Sequence, residues 1–283
     1  SRRACNADVE EHLCSHLSFR KKRRRVPRLS PLRPPSRRPG APAAARAQPC
    51  SATADAVDRH QCDHYSRRPG IAPLCQAVAA HLTALGVPAQ ENDVVISGSS
   101  QEARYVALRS LVVGKTVYVS ASDPQVYAAA LQFAGATVVI LADGEELPDV
   151  AGGLLVVGHG HVGVPPDPHV GVRATREMLA AWAAAHDLSV VADETGAPLD
   201  DYVPFASLPG MASRTLTLGS FDGAPGLGAW QVSWFAGPKP LLTPVRDLKQ
   251  SITICTSAPS QYAALAALKE YTAAAQAASG AKL

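Results

Sequence analysis

From residue 73 onward the hydrophobic positions alternate between two rhythms. Apolar residues recur at helical spacing over 74–85 and stop at Gly86, and 93–96 is a short apolar run of the kind a buried strand needs. Helical spacing returns over 101–112, a β-branched and aromatic run fills 116–120, a second helical stretch covers 124–134 up to Gly135, and 137–141 is again strand-like. The alternation continues with strands over 153–157, 188–192, 214–218 and 230–236, and helices over 173–186, 240–250 and 261–278. Leu179 and Trp182 share one face of the first of these helices. Strands that are apolar throughout, separated by helices, predict a mainly parallel sheet covered on both faces, a three-layer α/β/α arrangement. In such sheets ligands gather beyond the carboxyl ends of the strands, so candidate chemistry is sought there.

Before residue 60 this pattern is absent. Arg20-Lys21-Lys22-Arg23-Arg24-Arg25 is followed by prolines at 27, 31, 34, 35, 39 and 42, and no acid lies between Glu11 and Asp55. Like charges and prolines work against a packed core, so a disordered basic arm is expected over 1–60 and a folded body over 64–283. Residues 1–70 hold 16 Lys/Arg against 6 Asp/Glu, whereas 71–283 hold 11 against 18; the net charge of +3 hides this split. The Arg- and Ser-rich, acid-poor arm has the composition of a transit peptide, which implies a plastid or mitochondrion, with the cytoplasm as the alternative. A solvated tail foreign to the fold and a nuclear-localisation patch are the competing readings. No aromatic residues interleave with the basic hexamer, so nucleic-acid binding is not expected.

Hydrophobic residues make up 47% of the chain, enough for a sizeable core, and no apolar run is long enough to predict a membrane span. Six cysteines spread over 283 residues form no disulfide framework. His-x-Cys-x-His occurs twice, at His12-Cys14-His16 and His60-Cys62-His64, but zinc sites use wider gaps and no metal site is expected.

Three short constellations carry candidate chemistry. Gly158-His159-Gly160-His161-Val162-Gly163 follows a strand and matches G-x-G-x-x-G, but Pro165, Pro166 and Pro168 prevent the helix that a dinucleotide site requires. Asp193-Glu194 closes the strand over 188–192, where a carboxylate either pairs with a ring nitrogen or metal, or caps a loop. Gly98-Ser99-Ser100 joins a strand to a helix; its hydroxyls and free N–H groups suit a phosphate, and equally an ordinary N-cap.

In order and spacing these pieces, with others, resemble class I/II (fold type I) PLP-dependent aminotransferases over roughly 215 residues. The stretch Tyr65 to Leu74, through Gly70, is similar to the family's Y-x-x-x-x-G-x-x-x-L-R segment, with Cys75 in place of the final arginine. Val95 to Ala103 resembles the phosphate-cup turn, Gly114-Lys115-Thr116-Val117 stands where the family has a pGDxV stretch, Asp193-Glu194-Thr195 resembles DE-x-Y, Leu218-Gly219-Ser220-Phe221 resembles the start of S-F-S-K, and Ser257 with Gln261 and Ala263 resembles an S-x-x-x-Q-x-A helix. The resemblance implies the large domain of a PLP-dependent transferase fold, with a small C-terminal domain expected in addition but missing from this sequence. It also implies pyridoxal phosphate as cofactor, with Asp193 holding the pyridine nitrogen, Ser99, Ser100 and Ser220 contacting the phosphate, and His161 at the position of the asparagine that touches the ring hydroxyl. A homo- or heterodimer with an aminotransferase-like chain is implied as well, since family dimers build each site from both chains.

The departures fall on the chemistry. The position of the Schiff-base lysine is Gly223, and no lysine occurs anywhere between Lys115 and Lys239. The phosphate-binding arginine eight residues later is Gln231, the tyrosine of DE-x-Y is Gly196, and no ring-stacking aromatic stands at Pro124 or Gln125, although Tyr127 is close by. Losing the covalent lysine removes several orders of magnitude in rate, and losing the arginine removes a charge-assisted contact of about 1.5–3 kcal/mol. The expectation is therefore a catalytically inactive homologue serving as a structural or interaction module. The alternatives are an active transaminase using a lysine from elsewhere, Lys239 being the first candidate, and a fragment with no function of its own.

Overall fold

Apolar runs flanked by helices place their strands side by side in the middle of the body. In the computed structural model, which describes residues 43–59, 61–112, 114–120, 124–141, 146–158, 174–199, 202–222 and 227–280, seven strands form one sheet. They are β1 (Val94–Ser97), β2 (Thr116–Ser120), β3 (Thr137–Ile140), β4 (Leu154–Val157), β5 (Ser189–Asp193), β6 (Thr215–Ser220) and β7 (Ser233–Ala236), in the order β1-β7-β6-β5-β4-β2-β3. Neighbours from β3 through β6 pair in parallel, and β7 runs antiparallel to both β6 and β1. The mainly parallel sheet anticipated from the hydrophobic pattern is the one observed.

The helices are α1 (Ala43–Asp58), α2 (Ala72–Ala84), α3 (Ser100–Leu111), α4 (Ala128–Phe133), α5 (Arg176–Ala185), α6 (Lys239–Thr253) and α7 (Ala258–Gly280). Alternate residues of each strand feed opposite layers. On one face Val95, Val117, Leu154, Val156, Leu216 and Phe235 meet α3, α4 and α6. On the other, Ile96 and Trp234 meet α2 and α7, while Leu155 and Val190 meet α5. Each fully buried side chain of this size contributes about 1.5–3 kcal/mol, so the strands can be apolar on both faces. Only β3, at the sheet edge, is largely exposed. No helix among the described residues is long and apolar enough to cross a membrane.

Two expectations need correction. The arm was expected to stay without structure to residue 60, but α1 occupies Ala43–Asp58. Its Ala56 is buried and the Thr53 hydroxyl donates to the Pro259 carbonyl at 3.1 Å, so tertiary packing on α7 supplies what the composition did not suggest. The arm before residue 43 lies outside the described residues. The strand expected over 230–236 begins only at Ser233. A turn closed by the Trp230 N–H on the Leu227 carbonyl, followed by Gln231 at φ 51°, holds the chain out of the sheet until there.

The segment before α2 is tied down by one side chain. Gln261 on α7 is fully buried; its carbonyl accepts the Ile71 N–H at 2.8 Å and its amide donates to the Thr256 carbonyl at 2.8 Å and the Ser66 hydroxyl at 3.2 Å. Gly70, at φ 131°, passes so close to Ile96 that an added Cβ would lie 2.4 Å from its Cγ1. Replacing Gln261 by alanine leaves the buried Ile71 N–H without its partner, while the Thr256 carbonyl keeps the Ser66 hydroxyl, and will cost about 1–3 kcal/mol, read as a lowered urea midpoint at unchanged slope.

Candidate functional site

The sheet register brings the carboxyl ends of the strands to one edge. Ser97 of β1 and Ser220 of β6 both stand opposite Ser233 of β7, and Asp193 of β5 lies beside Leu218 of β6. At this edge lies a cavity of about 320 Å³ lined by Ser99, Ser100, Gln101, Arg104, Thr195, Gly196, Asp222, Gly228 and Gln231. Its position is the one expected for a parallel α/β sheet.

The turn from β1 into α3 forms one wall. Ser99 is the N-cap: its hydroxyl accepts the Glu102 N–H at 3.1 Å, and Glu102 reaches back to accept the Gly98 N–H at 2.6 Å. The Ser233 hydroxyl donates to the Ser99 carbonyl at 2.7 Å, fixing the turn to β7. The Ser99 hydroxyl is thus committed to its own helix, the simpler of the two roles open to it in the sequence. Ser100 donates its hydroxyl to Asp222 Oδ2 at 2.6 Å, and the Asp222 N–H donates to the Ser220 hydroxyl at 2.9 Å. Ser100 and Ser220 thus meet Asp222, one through its carboxylate and the other through its backbone N–H, while Ser99 caps α3.

Asp193 lies behind two of the lining residues, Arg104 and Thr195, both of which bond to it. It is fully buried at the end of β5, and four donors reach it. Oδ2 accepts Arg104 Nε at 2.6 Å and the Tyr127 hydroxyl at 2.7 Å; Oδ1 accepts the Thr195 N–H at 3.2 Å and the Thr195 hydroxyl at 2.7 Å. A carboxylate has about four acceptor positions, so this one is saturated. The Arg104 guanidinium also donates through Nη2 to the Thr195 hydroxyl at 2.7 Å, and its side chain is only 12% exposed. Thr195 entered the sequence reading only as part of the Asp193-Glu194-Thr195 motif, and Arg104 not at all. Arg104 follows Ser100 by four residues on α3, which puts it on the same helix face, and that spacing was the available signal.

Behind Asp193, Glu194 accepts the Phe205 N–H at 2.6 Å and Arg176 Nη2 at 2.9 Å. Burial pushes its carboxyl up to about 7, against the opposing pull of the Phe205 N–H and Arg176. Because the folded state holds this proton more tightly than the unfolded chain, the associated stability is fully present below about pH 4.5 and is lost as pH rises to about 7. The loss is on the order of 3 kcal/mol. Glu194→Gln will flatten the pH dependence of the urea midpoint over that window; an unchanged slope between the two proteins would contradict the assignment.

Among the described residues no lysine lines the cavity. Lys115 precedes β2, Lys269 lies on α7, and Lys249 is buried on α6, where desolvation holds its amine below the ordinary value. Lys239 opens α6 past Ala236, and Ala236 pairs with Thr217 rather than with the Ser220 end of β6. It therefore leaves the sheet at the opposite edge from the cavity, contrary to its place as first candidate for a substitute lysine. Gly223 and His161 lie outside the described residues, as does G-x-G-x-x-G beyond Gly158.

Comparison with known proteins gives the arrangement its relatives. No protein-family model matches the chain. Arginine–pyruvate transaminase AruH of Pseudomonas aeruginosa is 42% identical over 79 residues, covering 27% of this chain and 20% of that protein. The Mycobacterium tuberculosis protein named "Probable N-succinyldiaminopimelate aminotransferase DapC" is 29% identical over 228 residues, covering 73% of this chain and 56% of its own length. The solved structure of N-succinyldiaminopimelate aminotransferase from Mycobacterium tuberculosis superposes with a TM-score of 0.66 at 26% identity, over 80% of this chain and 63% of that one. The chain thus spans less than two thirds of the length of the relatives it matches. The matched stretches and the shared three-layer sheet agree: the chain is similar in sequence and fold to fold type I PLP-dependent aminotransferases.

Proposed function

We propose that this chain is an aminotransferase-fold protein that does not transaminate and serves as a structural or interaction module. The observation that carries the proposal is the stretch without lysine from residue 116 to 238, with Gly223 where the family's S-F-S-K places its lysine. Pyridoxal phosphate, when bound in this family, supplies an electron sink for breaking bonds at the amino-acid α-carbon. The residues around the cavity do not fit that group. Asp193 has no acceptor position left for a ring N–H, Ser100 is engaged by Asp222, and the neutral Gln231 replaces a phosphate-binding arginine. No catalytic step is therefore assigned to it.

A module of this kind has a natural partner in another aminotransferase-like chain, because family dimers build each site from two chains. The test of the catalytic half is direct. Full-length protein, incubated with pyridoxal phosphate, a panel of L-amino acids and 2-oxoglutarate or pyruvate, will form 2-oxo acids no faster than a protein-free control. Turnover above that control overturns the proposal. Capture of the tagged chain from its native source without any aminotransferase-like protein counts against the pairing.

A further inference from the structure

We propose that Arg104 and Asp222 act as internal replacements for the two charged ends of the cofactor, so that the cavity is charge-complete without any ligand. This rests on the reading of the chain as non-transaminating, and it names what closes the site. The Arg104 guanidinium stands on Asp193 Oδ2 at 2.6 Å, where a cationic ring nitrogen would otherwise find its counterion. The Asp222 carboxylate stands on the Ser100 hydroxyl at 2.6 Å at the start of α3, where the helix dipole and the hydroxyl would otherwise favour an anion. Both side chains line the same 320 Å³ cavity.

The two contacts differ in kind. Arg104 is largely enclosed and held at two points, by Asp193 and Thr195, so its displacement breaks a desolvated ion pair. Asp222 is exposed and held by Ser100 and by its own N–H on Ser220. It excludes anions by charge more than by anchoring. A ligand carrying both a cationic ring and a phosphate must displace one contact and repel the other. Arg104 and Asp222 are therefore binding determinants rather than catalytic residues.

The test measures reversible binding by equilibrium dialysis on the full chain, with inorganic phosphate and pyridoxal phosphate as separate probes. Wild-type protein will bind both with dissociation constants of about 1 mM or weaker. Asp222→Ser, at an exposed position, will bind inorganic phosphate at least about tenfold tighter than wild type. Arg104→Leu/Asp222→Ser will bind pyridoxal phosphate at least about tenfold tighter than wild type, and wholly reversibly, with a thermal midpoint that rises on adding the probe. Micromolar binding by wild type overturns the inference, as does a folded Asp222→Ser variant that gains no phosphate affinity. If the double variant does not fold, the single variant decides. A covalent lysine adduct in wild type would refute the non-transaminating reading itself, and that outcome is distinct from variants that fail to gain affinity.

Discussion

Arg104→Leu will destabilise the protein by about 3–5 kcal/mol, measured as a shift in the midpoint of urea unfolding at constant slope. Its partner Asp193 is fully buried and Arg104 is 12% exposed, so solvent cannot replace the guanidinium once it is gone. The carboxylate keeps the Tyr127 hydroxyl and two donors from Thr195, but its charge is then left without a counterion. Arg104→Leu/Asp193→Asn will recover most of the loss, because a neutral amide keeps the hydrogen-bonding shape without the buried charge. A loss below about 1 kcal/mol in the single variant would mean that the ion pair does not form.

Gly219→Ala will destabilise by about 3 kcal/mol or more, the upper end for inserting a methyl into a packed core. Gly219 is the penultimate residue of β6, facing Trp234 across the β6–β7 pair. A Cβ there would lie 2.0 Å from Cζ2 and 2.3 Å from Cε2 of the indole. The indole is rigid and 3% exposed, so the strand or the ring must move as a unit. The movement would pass to Ser220, the last residue of the strand, and to Asp222 just beyond it, and the Ser100–Asp222 contact will weaken with it. A variant as stable as wild type would contradict this packing.

The sequence made some features legible and hid others for identifiable reasons. Asp193 was visible because an acid ending an apolar run has few places to go but the edge of the sheet. Gly98-Ser99-Ser100 was visible because the hydrophobic period changes from strand to helix across it. Arg104 was not, because its partner is 89 positions away and helical spacing fixes the face of a residue without saying what lies opposite. Helix α1 escaped because its own composition gives it little amphipathic pattern, and its packing on α7 depends on Thr53 and Ala56 meeting a helix that starts two hundred residues later. Strand β7 was placed three residues early because Trp230 is apolar, and only the turn at Leu227 and Trp230 reveals that it precedes the strand. Gln261 was legible as part of a motif, but its role as a tie to Ile71, Thr256 and Ser66 comes from the fold alone.

The most direct test of the central claim is an absorbance spectrum of the purified full chain with added pyridoxal phosphate, followed by borohydride reduction and peptide mapping. The account predicts no protein-bound Schiff-base band and no reduced adduct on a defined lysine. A stoichiometric adduct on one lysine, Lys239 and Lys249 included, would show a living site and contradict it.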